Sequence, residues 1–137
     1  MSDLPATIRA AVVLRAANRC EYCRLWQAGQ EAAFHVDHVM PRAAGGPTAV
    51  ENLALACVSC SLRKAAKRMA VDPDSGGEAA IFNPRTQEWG NHFRWDGETV
   101  VGLTAIGRAT IFALKMNRPL IISIRKEEAI RGRHPHP

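Results

Sequence analysis

Two C-x-x-C pairs, Cys20-Glu21-Tyr22-Cys23 and Cys57-Val58-Ser59-Cys60, hold every cysteine of the chain. No other feature narrows the possible folds as much. In a reducing compartment two such pairs argue for metal ligation over disulfides, and four thiolates complete a tetrahedral Zn²⁺ site with no position left open for substrate. The pairs stand further apart than in a compact zinc ribbon, so the insert between them must itself fold, with the metal tying its two ends together. Metal binding in such a site is folding energy, on the order of 10 kcal/mol. Two other readings compete: a thioredoxin-like redox pair, which needs a strand-helix-strand setting absent here, and four reduced cysteines buried as small hydrophobes.

With 137 residues the chain has room for one domain with a real core and an extension, and too little for two comfortable domains. Its formal net charge of +5 favours a polyanionic partner, although charge alone leaves a basic protein with no particular partner equally open. No window approaches the roughly 18 apolar residues of a membrane span. The start, Met1-Ser2-Asp3-Leu4-Pro5, lacks the basic-then-apolar order of a signal peptide, so a cytoplasmic location is expected.

Residues 4–18 have helical character, with Asp3 as a cap and Pro5 in the first turn. Ala33 to Val39 alternates as a strand that Pro41 ends, and Ala43-Ala44-Gly45-Gly46-Pro47-Thr48 reads as a loop. Leu53-Ala54-Leu55-Ala56 is a second short strand, and Val58 to Met69, rich in Ala, Leu, Lys and Arg, is a helix. Val71-Asp72-Pro73-Asp74-Ser75-Gly76-Gly77 is a strong turn and the expected boundary of this unit. Beyond it come an aromatic run from Phe82 to Trp95, a β-like stretch over 99–103, a helix over 104–116, an apolar segment over 120–124 and a charged tail. The alternating His and Pro at the end predict a disordered tail over 131–137.

The insert between the cysteine pairs carries Asp37-His38. A carboxylate is a hard oxygen ligand suited to Mg²⁺ or Mn²⁺. A neutral imidazole, with an ordinary pKa of about 6.5, accepts a proton from water near neutral pH. On a regular strand the two side chains face opposite ways, so cooperation calls for a bulge or a bend at the strand end. By itself the pair is weak evidence and fits a surface pair with no role.

Taken together, Cys20-x-x-Cys23, Asp37-His38-Val39-x-Pro41-Arg42, Gly45-Gly46 and Asn52-Leu53-x-Leu55-x-Cys57-x-x-Cys60-x-x-x-Lys64 resemble the HNH endonuclease family in its version with two C-x-x-C zinc knuckles. The later run, with Asp72-Pro73, Phe82-Asn83-Pro84-Arg85, Trp89, His92-Phe93-x-Trp95 and Gly107-Arg108-Ala109-Thr110, resembles the extension found in one bacterial group of these proteins. The resemblance implies an α+β fold. A ββα-metal core over 20–70, with a four-cysteine structural zinc site, is preceded by a helix within 1–19 and followed by an α/β extension over 71–130 packing on the core.

The same resemblance implies a metal-dependent endonuclease hydrolysing DNA phosphodiester bonds. Its cofactors would be a structural Zn²⁺ and a catalytic divalent ion, Mg²⁺ or another such as Mn²⁺ or Ni²⁺. His38 would be the general base, Asp37 a ligand of the catalytic ion, and Asn52 the residue that holds the loop and orients His38. DNA would be contacted mainly through its backbone, by Arg42 and by Arg63, Lys64 and Lys67, which with Arg68 share a broad face of the expected helix. Arg108, Lys115 and Arg118 either extend that track or are the exposed side of a later helix.

The chain departs from the family at one position. The second ligand of the catalytic ion is usually a His or Asn directly after the last cysteine, and here that residue is Ser61, whose neutral hydroxyl is a weaker ligand. The alternative implied is a zinc-stabilised nucleic-acid-binding module with a decayed nuclease site. His35, on Asp37's strand face by two-residue periodicity, and His92, among aromatic residues, are the candidates to compensate. Each has a bland reading too, as a packed or hydrogen-bonded histidine.

Overall fold

A computed structural model describes residues 4–135 and divides into two compact units. Unit 1 comprises residues up to Arg68 together with Asn83–Thr86, and unit 2 comprises Met69–Phe82 and the chain from Gln87 onward. Asp3, expected as a helix cap, lies outside the described residues.

Unit 1 begins with helix α1, Ala6–Arg15, whose first turn is set by Pro5 at the N-cap. It buries Val12, and Ala16 just beyond its end, and stops where Ala17 and Asn18 turn to positive φ. Two of its arginines reach across the fold. Arg9 donates to the carbonyl of Phe34 at 2.9 Å, and Arg15 donates to those of Val50 at 2.7 Å and Leu53 at 2.5 Å. The helix thus braces the entry to both strands of a hairpin.

That hairpin pairs β1, His35–His38, with β2, Leu53–Ala56, antiparallel and in register from His35 opposite Ala56 to His38 opposite Leu53. The ladder is regular, so no bulge brings Asp37 and His38 to one side. β1 is shorter than the apolar alternation over 33–39 predicts. All of β2 is buried. On its second edge the first cysteine pair takes the place of a strand, since Glu21 N–H donates to Leu55 O at 2.8 Å and Leu55 N–H to the Glu21 carboxylate at 2.8 Å.

Helix α2, Val58–Lys64, is capped by Cys57 and follows directly on β2, giving the order ββα. Composition predicts a helix to Met69, but it ends at Lys64, where Ala65 turns to a φ of 46°. The helix-favouring Ala65, Ala66, Lys67 and Arg68 are overridden because Met69–Val71 is drawn out to pair as β3 with β4, Glu78–Ala80.

In unit 2 that hairpin turns through Asp72–Gly77, where a turn is expected. A short helix α3, Trp89–His92, leads into a second hairpin, β5, Phe93–Asp96, with β6, Thr99–Gly102. Helix α4, Ala105–Leu114, is capped by the Thr104 hydroxyl and packs on β3, β4 and β6. Helix α5, Pro119–Ile130, takes up the apolar segment at 120–124. Phe82 and Phe93 meet edge to face at 5.3 Å, with Trp89 5.0 Å from Phe93 and 5.2 Å from Trp95.

The tail departs from expectation as far as His134. Arg133 N–H donates to Glu128 O and its side chain pairs with the Glu128 carboxylate, while His134 lies edge-on to Trp95 at 4.6 Å and bonds Gly97 O. Charge complementarity and an aromatic partner hold residues that composition alone leaves unpaired. No helix among the described residues is long and apolar enough to cross a membrane.

Candidate functional site

The four cysteines converge. Cys20, Cys23, Cys57 and Cys60 are buried, and their sulfurs all lie within 4.8 Å of one another, with Cys23 Sγ 3.7 Å from Cys57 Sγ. Tetrahedral zinc with Zn–S bonds of about 2.3 Å separates its sulfurs by about 3.8 Å, so the donor set fits the ion. Each pair forms a knuckle in which a backbone N–H points at sulfur, Cys23 N to Cys20 and Cys60 N to Cys57, both at 3.4 Å. The crowding has a cost in the absence of a cation. Hydrogen bonding with the Cys20 sulfur, then with Cys23 and Cys57, and then burial hold the Cys60 thiol well above its usual range. A divalent cation reverses that penalty. The cluster is compatible with a structural zinc.

At the far end of the hairpin His38 closes β1, half-buried, with Nε2 2.7 Å from the Thr48 hydroxyl. Asp37 precedes it opposite Ala54 on the other face of the strand. The loop that carries Thr48 is held by Asn52, which is buried. Its Oδ1 accepts from Met40 N–H at 2.8 Å, and its Nδ2 donates to Met40 O at 3.0 Å and to Pro47 O at 2.9 Å. The Asn52 carbonyl also accepts from Val39 N–H at 2.8 Å, extending the ladder one step past His38. Asn52 therefore shapes the loop that faces His38, rather than touching the imidazole by any hydrogen bond described.

His35 and Ser61 meet. His35 Nδ1 lies 2.8 Å from Ser61 Oγ, joining β1 to α2 on the strand face that Asp37 shares. Cys60, Ser61 and Lys64 are the buried residues of α2. Lys64 is thus not part of an exposed basic face: its ammonium donates to Val39 O at 3.1 Å and His38 O at 3.4 Å, tying the helix to the end of β1. Burial holds Lys64 below its usual pKa, and the attraction of Asp37 opposes that shift.

Arg63 lies on the outer side of α2, where it donates to Ser59 at 3.1 Å, while Lys67 and Arg68 fall beyond the helix and are exposed. Arg42 is exposed in a single 3-10 turn after Pro41. In unit 2, half-buried His92 stands edge-on to Phe82 at 5.8 Å and bonds the Thr104 hydroxyl at 2.7 Å. Arg108 is committed to Asp72 through two hydrogen bonds of 3.0 Å, whereas Lys115 is exposed.

Three residues near these sites are assigned no role by the sequence. Thr48 is one, marked only by its place in the Gly-Gly-Pro loop. The others are Glu21 and Arg85, an ion pair beside the first knuckle, in which Glu21 answers both the Arg85 guanidinium and the Leu55 N–H. Sixty-four positions separate them in the chain, and no local pattern announces such a pair.

Residues 20–67 match the family model described as HNH endonuclease. No curated protein and no solved structure matches the chain. The matched segment holds both knuckles, both strands of the regular hairpin and α2. That match, the four-cysteine cluster and the ββα order together make residues 20–67 similar to the HNH endonuclease family.

Proposed function

We propose that the protein is a metal-dependent endonuclease that hydrolyses phosphodiester bonds of DNA, with His38 as general base. The observation that carries this reading is the position of His38. It ends β1 beside the Asn52-braced loop, with Nε2 in hydrogen-bond contact with an exposed threonine hydroxyl. In this reading the proton resides on Nδ1, and Nε2 is the basic atom once the attacking water takes the place of the Thr48 hydroxyl against it.

Asp37 supplies a hard oxygen donor for a divalent ion, Mg²⁺ or another such as Mn²⁺ or Ni²⁺. When bound, that ion neutralises charge on the phosphoryl oxygens and on the leaving 3′-oxygen. Asp37 and His38 face opposite ways on β1, so their cooperation runs around the strand end, where Met40 leaves the sheet for the Asn52 side chain; there His38 takes the proton of the attacking water, and the products carry a 5′-phosphate and a 3′-hydroxyl. Arg42, Arg63 and Lys67 contact backbone phosphates, so binding weakens steeply with salt and carries little sequence information. A zinc on the four cysteines holds α2 and β2 against the first knuckle.

The test is plasmid cleavage across a panel of divalent metals. His38→Ala is expected to lower the rate by about 10²–10⁴ while zinc content and DNA binding persist. A purified His38→Ala protein that nicks DNA as fast as the parent would overturn the assignment. Salt-dependent DNA binding with no cleavage under any metal would instead identify a nucleic-acid-binding module whose nuclease site has decayed.

A further inference from the structure

We infer that His35 is the second protein ligand of the catalytic ion, and that Ser61 is the residue that orients it. The inference rests on the nuclease reading above and reassigns the position where a hydroxyl stands in place of the usual His or Asn. Two-residue periodicity along a ladder with no bulge puts His35 and Asp37 on one face of β1. Ser61 projects from α2 onto that face and meets His35 at Nδ1, 2.8 Å away.

In this inference Ser61 acts as the acceptor, which sets the imidazole nitrogen that is available. Metal-bound histidines almost always donate their second ring N–H to an acceptor, which fixes the tautomer and the ring plane. With Nδ1–H donating to Ser61 Oγ, the lone pair resides on Nε2, and the ring is held by a side chain that is itself buried. A hydroxyl bonded in this way is better employed as an acceptor than as a ligand, because imidazole is much the stronger donor to divalent transition metals. Nitrogen from His35 and oxygen from Asp37 then make a two-residue set of mixed donors, with water and substrate phosphate completing the shell. His35, Asp37 and Ser61 divide the work as ligand, ligand and orienting acceptor.

Mn²⁺ is the probe, since it sits low in the affinity order for sulfur-rich sites and leaves a zinc held by four thiolates in place. Full-length protein with its zinc would be titrated with Mn²⁺ alone, and the bound ion examined by pulsed electron paramagnetic resonance for coupling to imidazole ¹⁴N. The parent is expected to show one nitrogen coupling, which His35→Ala abolishes without loss of zinc. Ser61→Ala is expected to keep the coupling while binding Mn²⁺ about tenfold more weakly.

A bound Mn²⁺ with no nitrogen coupling, a coupling that survives His35→Ala, or no Mn²⁺ binding at millimolar concentration would each overturn the inference. Failure here leaves the nuclease reading standing if the parent still cleaves DNA in a metal-dependent, His38-dependent way. The zinc content of each variant reports folding separately from both.

Discussion

Asn52 and Met40 are joined twice, the Asn52 amide accepting from the Met40 N–H at 2.8 Å and donating to the Met40 carbonyl at 3.0 Å. A side-chain amide thereby imitates a strand partner for a residue that has left the sheet, and its second N–H secures Pro47 O. Asn52→Ala removes all three bonds and leaves two backbone groups of Met40 without their partner. Unfolding in urea is expected to show a loss of about 3 kcal/mol. In the nuclease reading, cleavage falls further than stability does, because the loop bearing Thr48 is released.

The two glycines of the same loop differ in kind. A β-carbon on Gly46 would fall 1.8 Å from Met40 O and 2.8 Å from Asn52 Nδ2, inside the clamp itself, whereas one on Gly45 would meet nothing within 4 Å. Gly45 needs its hydrogen only for its φ of +90°. Gly45→Ala is therefore expected to cost about 1–2 kcal/mol and Gly46→Ala distinctly more, as read by thermal unfolding. The reverse order would show that the clamp geometry is wrong.

Zinc analysis provides a third check. One zinc per chain is expected, and titrating the thiols with an organomercurial should release it together with four reactive sulfhydryls. The far-ultraviolet circular dichroism should then change, since β2 and α2 are tied to the first knuckle through that cluster. Thiols that titrate freely with no metal released would refute the site.

In the Glu21–Arg85 pair the carboxylate side chain is buried, at 6 % exposed, and the guanidinium side chain is mostly so, at 12 %. Arg85→Ala leaves a buried carboxylate uncompensated and is expected to destabilise the protein by about 3–5 kcal/mol. Adding Glu21→Gln removes the charge but keeps an acceptor for Leu55 N–H, so the double variant should recover part of the loss in a denaturation cycle. Additive losses would mean that the two side chains do not interact.

In unit 2 the Arg108 guanidinium, by hydrogen bonding, holds the Asp72 carboxyl well below the usual carboxylate range, outweighing the opposing effect of burial. The Asp74 N–H and the Ser75 hydroxyl add to it. The folded state then binds fewer protons than the unfolded one, so stability rises with pH over this window. That contribution is present above the ordinary value of 3.8 and is lost as pH falls through the lower folded value. Without the arginine the largest of the lowering influences is gone, and burial is opposed only by the Asp74 N–H and the Ser75 hydroxyl. Acid unfolding followed by tryptophan fluorescence should begin at higher pH in Arg108→Met than in the parent, and coincident curves would contradict the pairing.

What sequence alone determined was chemistry that depends on residue type and short spacing. Two C-x-x-C pairs limit four thiolates to few arrangements, a Gly-Gly-Pro run breaks regular structure wherever it stands, and Asp37-His38 sits on a strand because its neighbours alternate. Those signals are local and survive without coordinates. The end of α2 was illegible, since Ala65 to Arg68 favour helix and only the pairing of β3 with β4 overrides them. So was the fate of Lys64, which composition places on a solvated face and packing turns inward to two carbonyls. The contact of His35 with Ser61 and the pairing of Glu21 with Arg85 belong to the tertiary structure as well. Side chains separated by 26 and 64 positions meet only when the backbone between them has folded, and no period of two or 3.6 in the sequence encodes a distance of that kind.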